Sequence, residues 1–422
     1  MLNMALPSYM EAQGGAITPL GGWMVSTATQ LQRRDGVELY VAFPLKSSGE
    51  EPKAEEAHYR PFEPMSGVGQ KEVEYFRSLL RQINPDIVHV YGTELPHSLA
   101  ATRAANAEGI PLVVTIQGLV SRIAQHIGSG LPLHVIYGAS PRNILLGDSV
   151  DGLRRKYRRR GAYEIETLQR ANYVIGRTEW DRACAREMSP TAPYHHLDET
   201  LRSSFYTGHW TVENIDPGSI LVSQGNNPLK GLHFVVEALA KVKKIYPEAH
   251  LRVAGRKPIE AGFARSISLG TRYGMYLKKR IKQLGLVDAV EFIGYKSENE
   301  MREEFLRANL FVSASVIENE SNSLSEAMAL GVPSVASYVG GVPDRIEHGK
   351  TGYLYQHDAP YMLAHYAMNI FGDSNAALDM GTAAREATHK RLDAERNLES
   401  QLQIYRELTS GTNSSFVKDT LL

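Results

Sequence analysis

Short runs of β-branched and aromatic residues alternate with longer amphipathic segments along almost the whole chain of 422 residues. In the first half these runs, bounded by Pro, Gly or Asp, are residues 37–43, 87–91, 112–116 and 173–176. In the second half they are residues 220–223, 251–254, 290–293, 310–313 and 332–336. Apolar strands that alternate with helices, such as those expected at 95–107 and 161–170, predict parallel sheets covered on both faces. The chain is therefore expected to be an α/β protein.

The alternation runs in two series, and this division predicts two domains. The polar segment 211–218 separates the series, and a chain of this length exceeds what one hydrophobic core usually supports. We expect two Rossmann-like domains, residues 1–212 and 213–385, each a doubly wound parallel sheet, with an interdomain cleft. Residues 2–6 have the pattern of a strand end, which predicts a natural start slightly upstream. The polar tail 411–422 is expected to be frayed.

Charge and cysteine content restrict the class of protein. The formal net charge is -1, so any anion-binding site must be local. Cys184 is the only cysteine in the sequence, which excludes an intramolecular disulfide and suits a reducing compartment. We expect it to be a buried structural thiol in a helix. The sequence shows no signal peptide and no apolar run near the ~20 residues of a membrane span, which predicts a cytoplasmic protein.

The strongest local motif lies between Ser315 and Pro333. A strand is expected to end just before it, and a helix to begin near Asn322 and end at Gly331, with Ser321 or Asn322 as the N-cap. The free backbone N–H groups and the positive end of such a helix form a ready binding site for phosphate.

The residues around this helix start are candidates for ligand binding. Backbone N–H groups of Asn322 and Ser323 would face a phosphate, and Leu324 is a further candidate for donor binding. Glu318 lies before the helix and Glu326 about one turn inside it, so both can flank a ligand. The alternative is that both are solvated surface glutamates.

A second motif, residues 223–231, follows a strand and opens a helix. Gly225 and Gly231 allow a tight turn and a close approach of the backbone to a ligand. Lys230 can neutralise a diphosphate, and Gln224 lies in the same turn. The alternative is an ordinary strand-to-helix turn with a solvent lysine. The spacing is not that of a dinucleotide-binding fingerprint, which disfavours a dehydrogenase.

Two further glycine-rich stretches and one absence complete the pattern. Residues 14–15 and 18–24, which include Gly22, are placed to approach a ligand in the cleft, and the alternative is a flexible loop. The pair at 340–341 is similar, although a tight turn before a helix expected at 344–348 would explain it nearly as well. The sequence contains no Asp-x-Asp and no His/Cys cluster with metal-ligand spacing, so we expect no metal and no other cofactor.

A basic stretch runs from Arg154 to Arg160. One interpretation is a solvated helix face. The other is electrostatic contact with anionic lipid or an anionic acceptor, which would place the protein at the inner face of the membrane. The stretch lacks interleaved aromatic residues, so we expect no nucleic-acid partner.

Together these motifs resemble the retaining glycosyltransferases of family four, which have the two-domain GT-B fold. Glu318 and Glu326 are separated by seven residues and followed by Ala-Met-Ala-x-Gly-x-Pro, which is similar to the signature of that family. The resemblance extends, in the expected order, to residues 228–231, 340–343 and 349–352 and to the glycine loop near Gly22.

The resemblance implies a role for each matching residue. Glu326 would bind the donor ribose and Glu318 the hydroxyl groups of the transferred sugar. The backbone at Asn322 and Ser323, with Lys230, would hold the diphosphate, and Gly22 would lie near it. Residues 386–410 would form helices that cross back to the N-terminal domain.

The implied activity is metal-independent transfer of a sugar, with retention, from a nucleotide sugar to a saccharide or lipid-linked acceptor. Polysaccharide or glycolipid biosynthesis is the expected setting. The alternatives are a nucleotide-sugar epimerase of the same fold and a catalytically silent nucleotide-binding protein.

The sequence departs from the family at two positions. Gln224 stands where relatives carry an arginine, and Gln117 stands where many carry a histidine that helps to place the sugar. His97 is an alternative candidate near the sugar, although a surface histidine at a helix start would explain it equally well.

Overall fold

The computed structural model describes residues 1–5, 9–10, 22–46, 58–138, 140, 143, 149–257 and 271–410. The chain forms two compact units. The first consists of Met1–Leu119, Arg160–Thr200 and the residues from Leu392 onward, and the second of Val120–Arg159 and Leu201–Arg391. These units differ from the contiguous domains expected from the sequence, because residues 120–159 and 201–212 belong to the second unit.

Strands and helices alternate through both units. The strands are β1 (Tyr40–Pro44), β2 (His58–Phe62), β3 (Val88–Tyr91), β4 (Leu112–Thr115), β5 (Tyr173–Gly176), β6 (Tyr194–His196), β7 (Asp216–Val222), β8 (His250–Ala254), β9 (Val290–Gly294), β10 (Ala308–Ser313), β11 (Ser334–Ser337) and β12 (Tyr353–Tyr355). The helices are α1 (Gly22–Gln32), α2 (Gln70–Ile83), α3 (Pro96–Glu108), α4 (Val120–His126), α5 (Leu133–Ile136), α6 (Val150–Gln169), α7 (Glu179–Met188), α8 (Leu232–Val242), α9 (Arg272–Gln283), α10 (Glu298–Arg307), α11 (Asn322–Leu330), α12 (Pro360–Gly372), α13 (Ser374–Arg391) and α14 (Ala394–Thr409).

The first unit contains parallel strands in the order β3-β4-β5-β6, together with the parallel pair β1-β2. Met1 and Leu2 bridge these groups, since Leu2 N–H donates to Ala42 O (2.8 Å) and Tyr91 N–H donates to Met1 O (3.0 Å). The last helix, α14, belongs to this unit. Its Ile404 packs with residues of β4 and β5. Residues 386–391, which were expected to cross back with it, belong to the second unit.

The second unit is a six-stranded parallel sheet in the order β12-β11-β10-β7-β8-β9. Successive strands β7, β8 and β9 are added toward one edge of the sheet, and β10, β11 and β12 toward the other edge. The order in which strands are added therefore reverses between β7 and β10. In open α/β sheets, ligands bind beyond the carboxyl ends of the strands at this reversal.

All nine predicted apolar runs contain a strand, and the strand ends lie at most four residues from the predicted ones, whereas residues 2–5, predicted to end a first strand, are not in a strand. The strand expected at 37–43 is β1, which begins at Tyr40, and the helix expected at 161–170 is the end of the longer α6. Cys184 is buried in α7, as expected. The helix expected at 344–348 is instead a short 3₁₀ turn, Val342–Asp344. Among the described residues, no helix combines the length and the apolar character that a membrane span requires.

Candidate functional site

Two loops leave the sheet of the second unit at the reversal of strand order. One follows β7 and contains Leu229, Lys230 and Gly231, and the other follows β10. Gly231 has a φ of +66°, and a Cβ there would lie 1.8 Å from Ala314 O. Val316 N–H donates to Leu229 O at 2.8 Å. The two loops are therefore held together, and the first depends on glycine at position 231.

The helix α11 begins and ends as its sequence predicts. The Ser321 side chain caps the N-terminus by accepting from Leu324 N–H, and Gly331 ends the helix in the left-handed region. Asn322 and Ser323 supply the first N–H groups, which have no acceptor inside the helix. The N–H of Leu324, a further donor-binding candidate, is engaged by Ser321. The N–H groups of Asn322 and Ser323 are therefore the ones that this helix start offers to an anion.

Glu318 and Lys230 form an ion pair. Ser315 Oγ also donates to Glu318 Oε2 at 3.0 Å. The backbone of Glu318 contacts the glycine pair: Gly341 N–H donates to Glu318 O at 3.1 Å, and a Cβ on Gly340 would lie 2.0 Å from the same oxygen. The glycines at 340–341 therefore hold the loop that carries Glu318.

Glu326 is buried on α11, with 8% of its side chain exposed. Arg202 donates to its Oε1 from Nε at 3.1 Å and from Nη2 at 2.6 Å. Burial raises the pKa of Glu326 above its usual value, Arg202 opposes that rise, and Glu298 adds to it. The alternative of two solvated surface glutamates is wrong, because the side chain of Glu318 is also only 17% exposed.

The remaining donor-site candidates are less closely tied to this geometry. Gln224 is half-buried in the loop after β7, and it packs near Gly255 after β8. Gly22 is the first residue of α1, in the first unit. The rest of the glycine loop at 14–21 lies outside the described residues.

Gln117 belongs to a polar cluster in the first unit. Its Nε2 donates to Glu199 Oε1 at 3.0 Å. Arg177 pairs with Glu199 Oε2 at 2.6 Å and donates to Gln117 O at 3.1 Å. One N–H of Nε2 is used in this bond, and the amide oxygen and the second N–H are the groups that could contact a ligand.

His97 is 3% exposed on α3 and packs edge-on against Phe62. Burial is the main cause that lowers its pKa to about 4. The alternative of a surface histidine is therefore wrong, and this burial disfavours direct contact with a sugar.

Sequence reasoning missed three residues of these clusters: Arg202, Glu199 and Ser315. Arg202 and Glu199 lie in irregular segments without a motif, and their partners are distant in the sequence. Only Ser315, three residues before Glu318, had a local signal. Within the part of the chain that the structure describes, no three His, Cys, Asp or Glu residues are grouped so that they could hold a metal ion.

Comparisons with known proteins agree with this architecture. Residues 22–196 match the family described as Glycosyl transferase 4-like domain, and residues 213–387 match Glycosyl transferases group 1. N-acetyl-alpha-D-glucosaminyl L-malate synthase of Bacillus anthracis is 33% identical over 128 residues, which are 30% of this chain and 33% of that protein. D-inositol 3-phosphate glycosyltransferase of Streptomyces scabiei is 29% identical over 157 residues, 37% of this chain and 34% of that protein. The chain thus matches about a third of the length of these relatives.

Solved structures show the same fold over nearly the full length. Anabaena Alr3699/HepE in complex with UDP and glucose has a TM-score of 0.66 at 16% identity, covering 96% of this chain and 98% of that one. WaaG, a glycosyltransferase involved in lipopolysaccharide biosynthesis, has a TM-score of 0.62 at 16% identity, covering 92% and 97%. The chain has the GT-B fold. Its two halves match the models of the glycosyl transferase 4-like and group 1 families.

Proposed function

We propose that this chain is a retaining, metal-independent glycosyltransferase that moves a sugar from a nucleotide sugar to a saccharide or lipid-linked acceptor. The observation that carries the proposal is the convergence of Lys230, Glu318 and the start of α11 at the reversal of strand order. A relative named as a glycosyltransferase and a structural neighbour solved in complex with UDP support it.

The second unit would bind the nucleoside diphosphate. The N–H groups of Asn322 and Ser323 would hold one phosphate at the helix start, where the helix dipole favours negative charge. Lys230 would turn from Glu318 toward the diphosphate, which frees the Glu318 carboxylate to accept hydrogen bonds from sugar hydroxyls. Glu326 would accept hydrogen bonds from the ribose.

The transfer breaks the bond between the anomeric carbon and the diphosphate oxygen and forms one to the acceptor oxygen on the same face. The acceptor proton passes to the leaving diphosphate, so no protein nucleophile is required. Negative charge grows on the diphosphate in the transition state, and Lys230 and the helix start stabilise that charge where it develops. Gln117, through its amide oxygen, would orient a sugar hydroxyl.

Binding and turnover test this assignment separately. Glu326→Ala should weaken binding of UDP or GDP in calorimetry, while Glu318→Ala should mainly lower turnover. Glu303→Ala, at a glutamate that is 59% exposed on α10, is the control and should change neither. Unchanged nucleotide affinity in Glu326→Ala would remove the ribose assignment.

Product analysis separates the proposal from its alternatives. Proton NMR of the product should show the anomeric configuration of the donor. An epimerase would convert the donor without an acceptor, and a silent binding protein would convert nothing. Either result would refute transferase activity.

We also propose that the protein contacts anionic lipid through a basic surface, defined by Arg155, Lys156, Arg158 and Arg159 on α6. These four side chains are exposed. The side chains of Leu133 and Tyr137, in and just after α5, are 72% and 61% exposed. Tyr137 packs under the Arg154 guanidinium, with 5.5 Å from the ring centre to its carbon, so apolar and basic groups adjoin. Such a combination suits the interface of an anionic bilayer.

Sedimentation with vesicles tests this surface. Binding to phosphatidylglycerol vesicles should exceed binding to phosphatidylcholine vesicles and should fall with salt, as screening shortens the Debye length from about 10 Å at 0.1 M. Equal sedimentation with both vesicle types would leave only the solvated-face interpretation.

A further inference from the structure

Residues 201–210, at the start of the second unit's longer part (Leu201–Arg391), are fixed on that unit by buried aromatic residues. Trp210 is 1% exposed, its Nε1 donates to Ala308 O at 2.7 Å, and its N–H donates to Leu330 O at 2.9 Å. Phe205 is fully buried and packs edge-on against Phe305 of α10. The backbone that carries Arg202 is therefore anchored near the end of α11 and on α10.

Arg202 is held over a buried ring and directed at one oxygen of Glu326. Its guanidinium carbon lies 4.6 Å from the ring centre of Phe205. Both of its hydrogen bonds to the carboxylate go to Oε1. Glu326 Oε2 has no hydrogen-bond partner among the described residues. One oxygen is thus fixed, and the other is left for a ligand.

The contact of Arg202 with Glu326 favours the ionised carboxylate, against the effects of burial and of a neighbouring glutamate. Glu298, on α10, lies 3.8 Å from Arg202 and repels the Glu326 carboxylate. On α13, Arg391 donates to the neighbouring Ser325 Oγ at 3.3 Å. Burial alone would favour the neutral acid, which is a poorer hydrogen-bond acceptor than the carboxylate. Arg202 is the cation in direct contact with Glu326.

We propose that Arg202 is a positioning residue for the donor: it fixes Glu326 Oε1 so that Oε2 is presented, ionised, to the ribose hydroxyls. This inference rests on the proposed function, since it assigns a second residue to the same nucleotide site. Arg202 itself is expected to make no contact with the nucleotide, because its two nearest donors are used by Glu326.

A double-mutant cycle tests whether Arg202 acts through Glu326. The probes are UDP and GDP, titrated calorimetrically into wild type, Arg202→Gln, Glu326→Ala and the double variant. Arg202→Gln should weaken binding about tenfold or more in the wild-type background, the range of a lost charge-assisted hydrogen bond. In the Glu326→Ala background the same change should alter affinity less than about twofold.

Arg252→Gln is the matched control. Arg252 and Glu304 form a second buried pair in the same unit, with side-chain exposures of 18% and 10% against 17% and 8% for Arg202 and Glu326. Removing that pair should leave nucleotide affinity unchanged even if it lowers the melting temperature. Arg202→Lys, which keeps the charge, should recover part of the affinity lost in Arg202→Gln.

The pH dependence of nucleotide affinity distinguishes this role from a purely structural one, because a purely structural role of Arg202 would not change that dependence. Without Arg202 the pKa of Glu326 rises further, so affinity in Arg202→Gln should fall, on acidification, at a higher pH than in wild type. Equal losses in both backgrounds of the cycle, or pH profiles that coincide, would overturn the inference while leaving the proposed function intact. A wild-type protein that binds neither UDP nor GDP would overturn both.

Discussion

Replacing Gly231 by alanine tests whether the loop that carries Lys230 depends on its contact with the loop after β10. The residue has a φ of +66°, and a Cβ would lie 1.8 Å from Ala314 O. Gly285 is a matched control, because its φ is +68° but a Cβ there would meet nothing within 4 Å. Both substitutions place a Cβ on a residue with positive φ, which costs a similar free energy of folding. Only Gly231→Ala also makes the new Cβ overlap with the backbone oxygen of Ala314.

The two variants should therefore differ by a calculable amount. Gly285→Ala should cost about 1–2 kcal/mol, the cost of a left-handed conformation with a Cβ. Gly231→Ala adds about 1–3 kcal/mol for the overlap and about 1 kcal/mol for the bond from Val316 N–H to Leu229 O, which must lengthen as the loop moves. In a unit of this size each kcal/mol lowers the melting temperature by about 2–4 °C.

Thermal denaturation and nucleotide titration measure the two consequences on the same preparations. Gly231→Ala should melt well below Gly285→Ala and should also bind UDP or GDP more weakly, because Lys230 moves with the loop. Gly285→Ala should bind nucleotide as wild type does. Equal melting temperatures and equal affinities in the two variants would refute the argument that Ala314 supports the loop.

Three further predictions concern charge, metal and protonation. Lys230→Met should cost about 1–3 kcal/mol of donor affinity by calorimetry, the scale of a charge-assisted hydrogen bond; wild-type affinity would exclude a contact with the diphosphate. Turnover should survive EDTA, and a loss restored by magnesium or manganese would overturn the metal-free mechanism. Gln117→Ala should lower turnover more than nucleotide affinity, and turnover at the wild-type rate in this variant would make Gln117 a structural residue. Gln117→His should add an ionisation near neutral pH to the dependence of the rate on pH.

A last prediction in this group follows from buried His97. With its pKa lowered to about 4, the unfolded chain takes up a proton at this residue before the folded one does as pH falls below the usual histidine value. Stability should therefore decrease by about 2 kcal/mol between pH 7 and 5, and His97→Phe should lose less over the same interval in thermal denaturation.

Local features of the candidate site could be predicted from the sequence because each depends on neighbouring residues. Ser321 and Gly331 cap α11 through contacts within a few positions, and the short apolar run before it is typical of a strand covered on both faces. The pairing of Lys230 with Glu318 joins residues 88 positions apart, and a pattern with local range cannot specify it.

The parts that the sequence did not predict have identifiable causes. The strand β2 was missed because its five residues include Arg60 and Pro61, which are unfavourable for a buried strand. Arg202 was missed because its role comes from Glu326, 124 positions away, and from aromatic packing that anchors an irregular segment. The assignment of residues 120–159 to the second unit likewise depends on contacts such as His233 with Ser129 O, at 3.1 Å.

The position of α14 in the first unit reverses the order in which the two units become complete during translation. Leu398 and Leu402 pack with Leu31, and Ile404 packs with Val113 of β4. The second unit ends at Arg391, so all of its residues leave the ribosome before α14 does. The apolar surface that α14 covers on the sheet of the first unit therefore stays exposed until the second unit and then α14 have left the ribosome. Chaperone contact during synthesis should accordingly concentrate on the first unit.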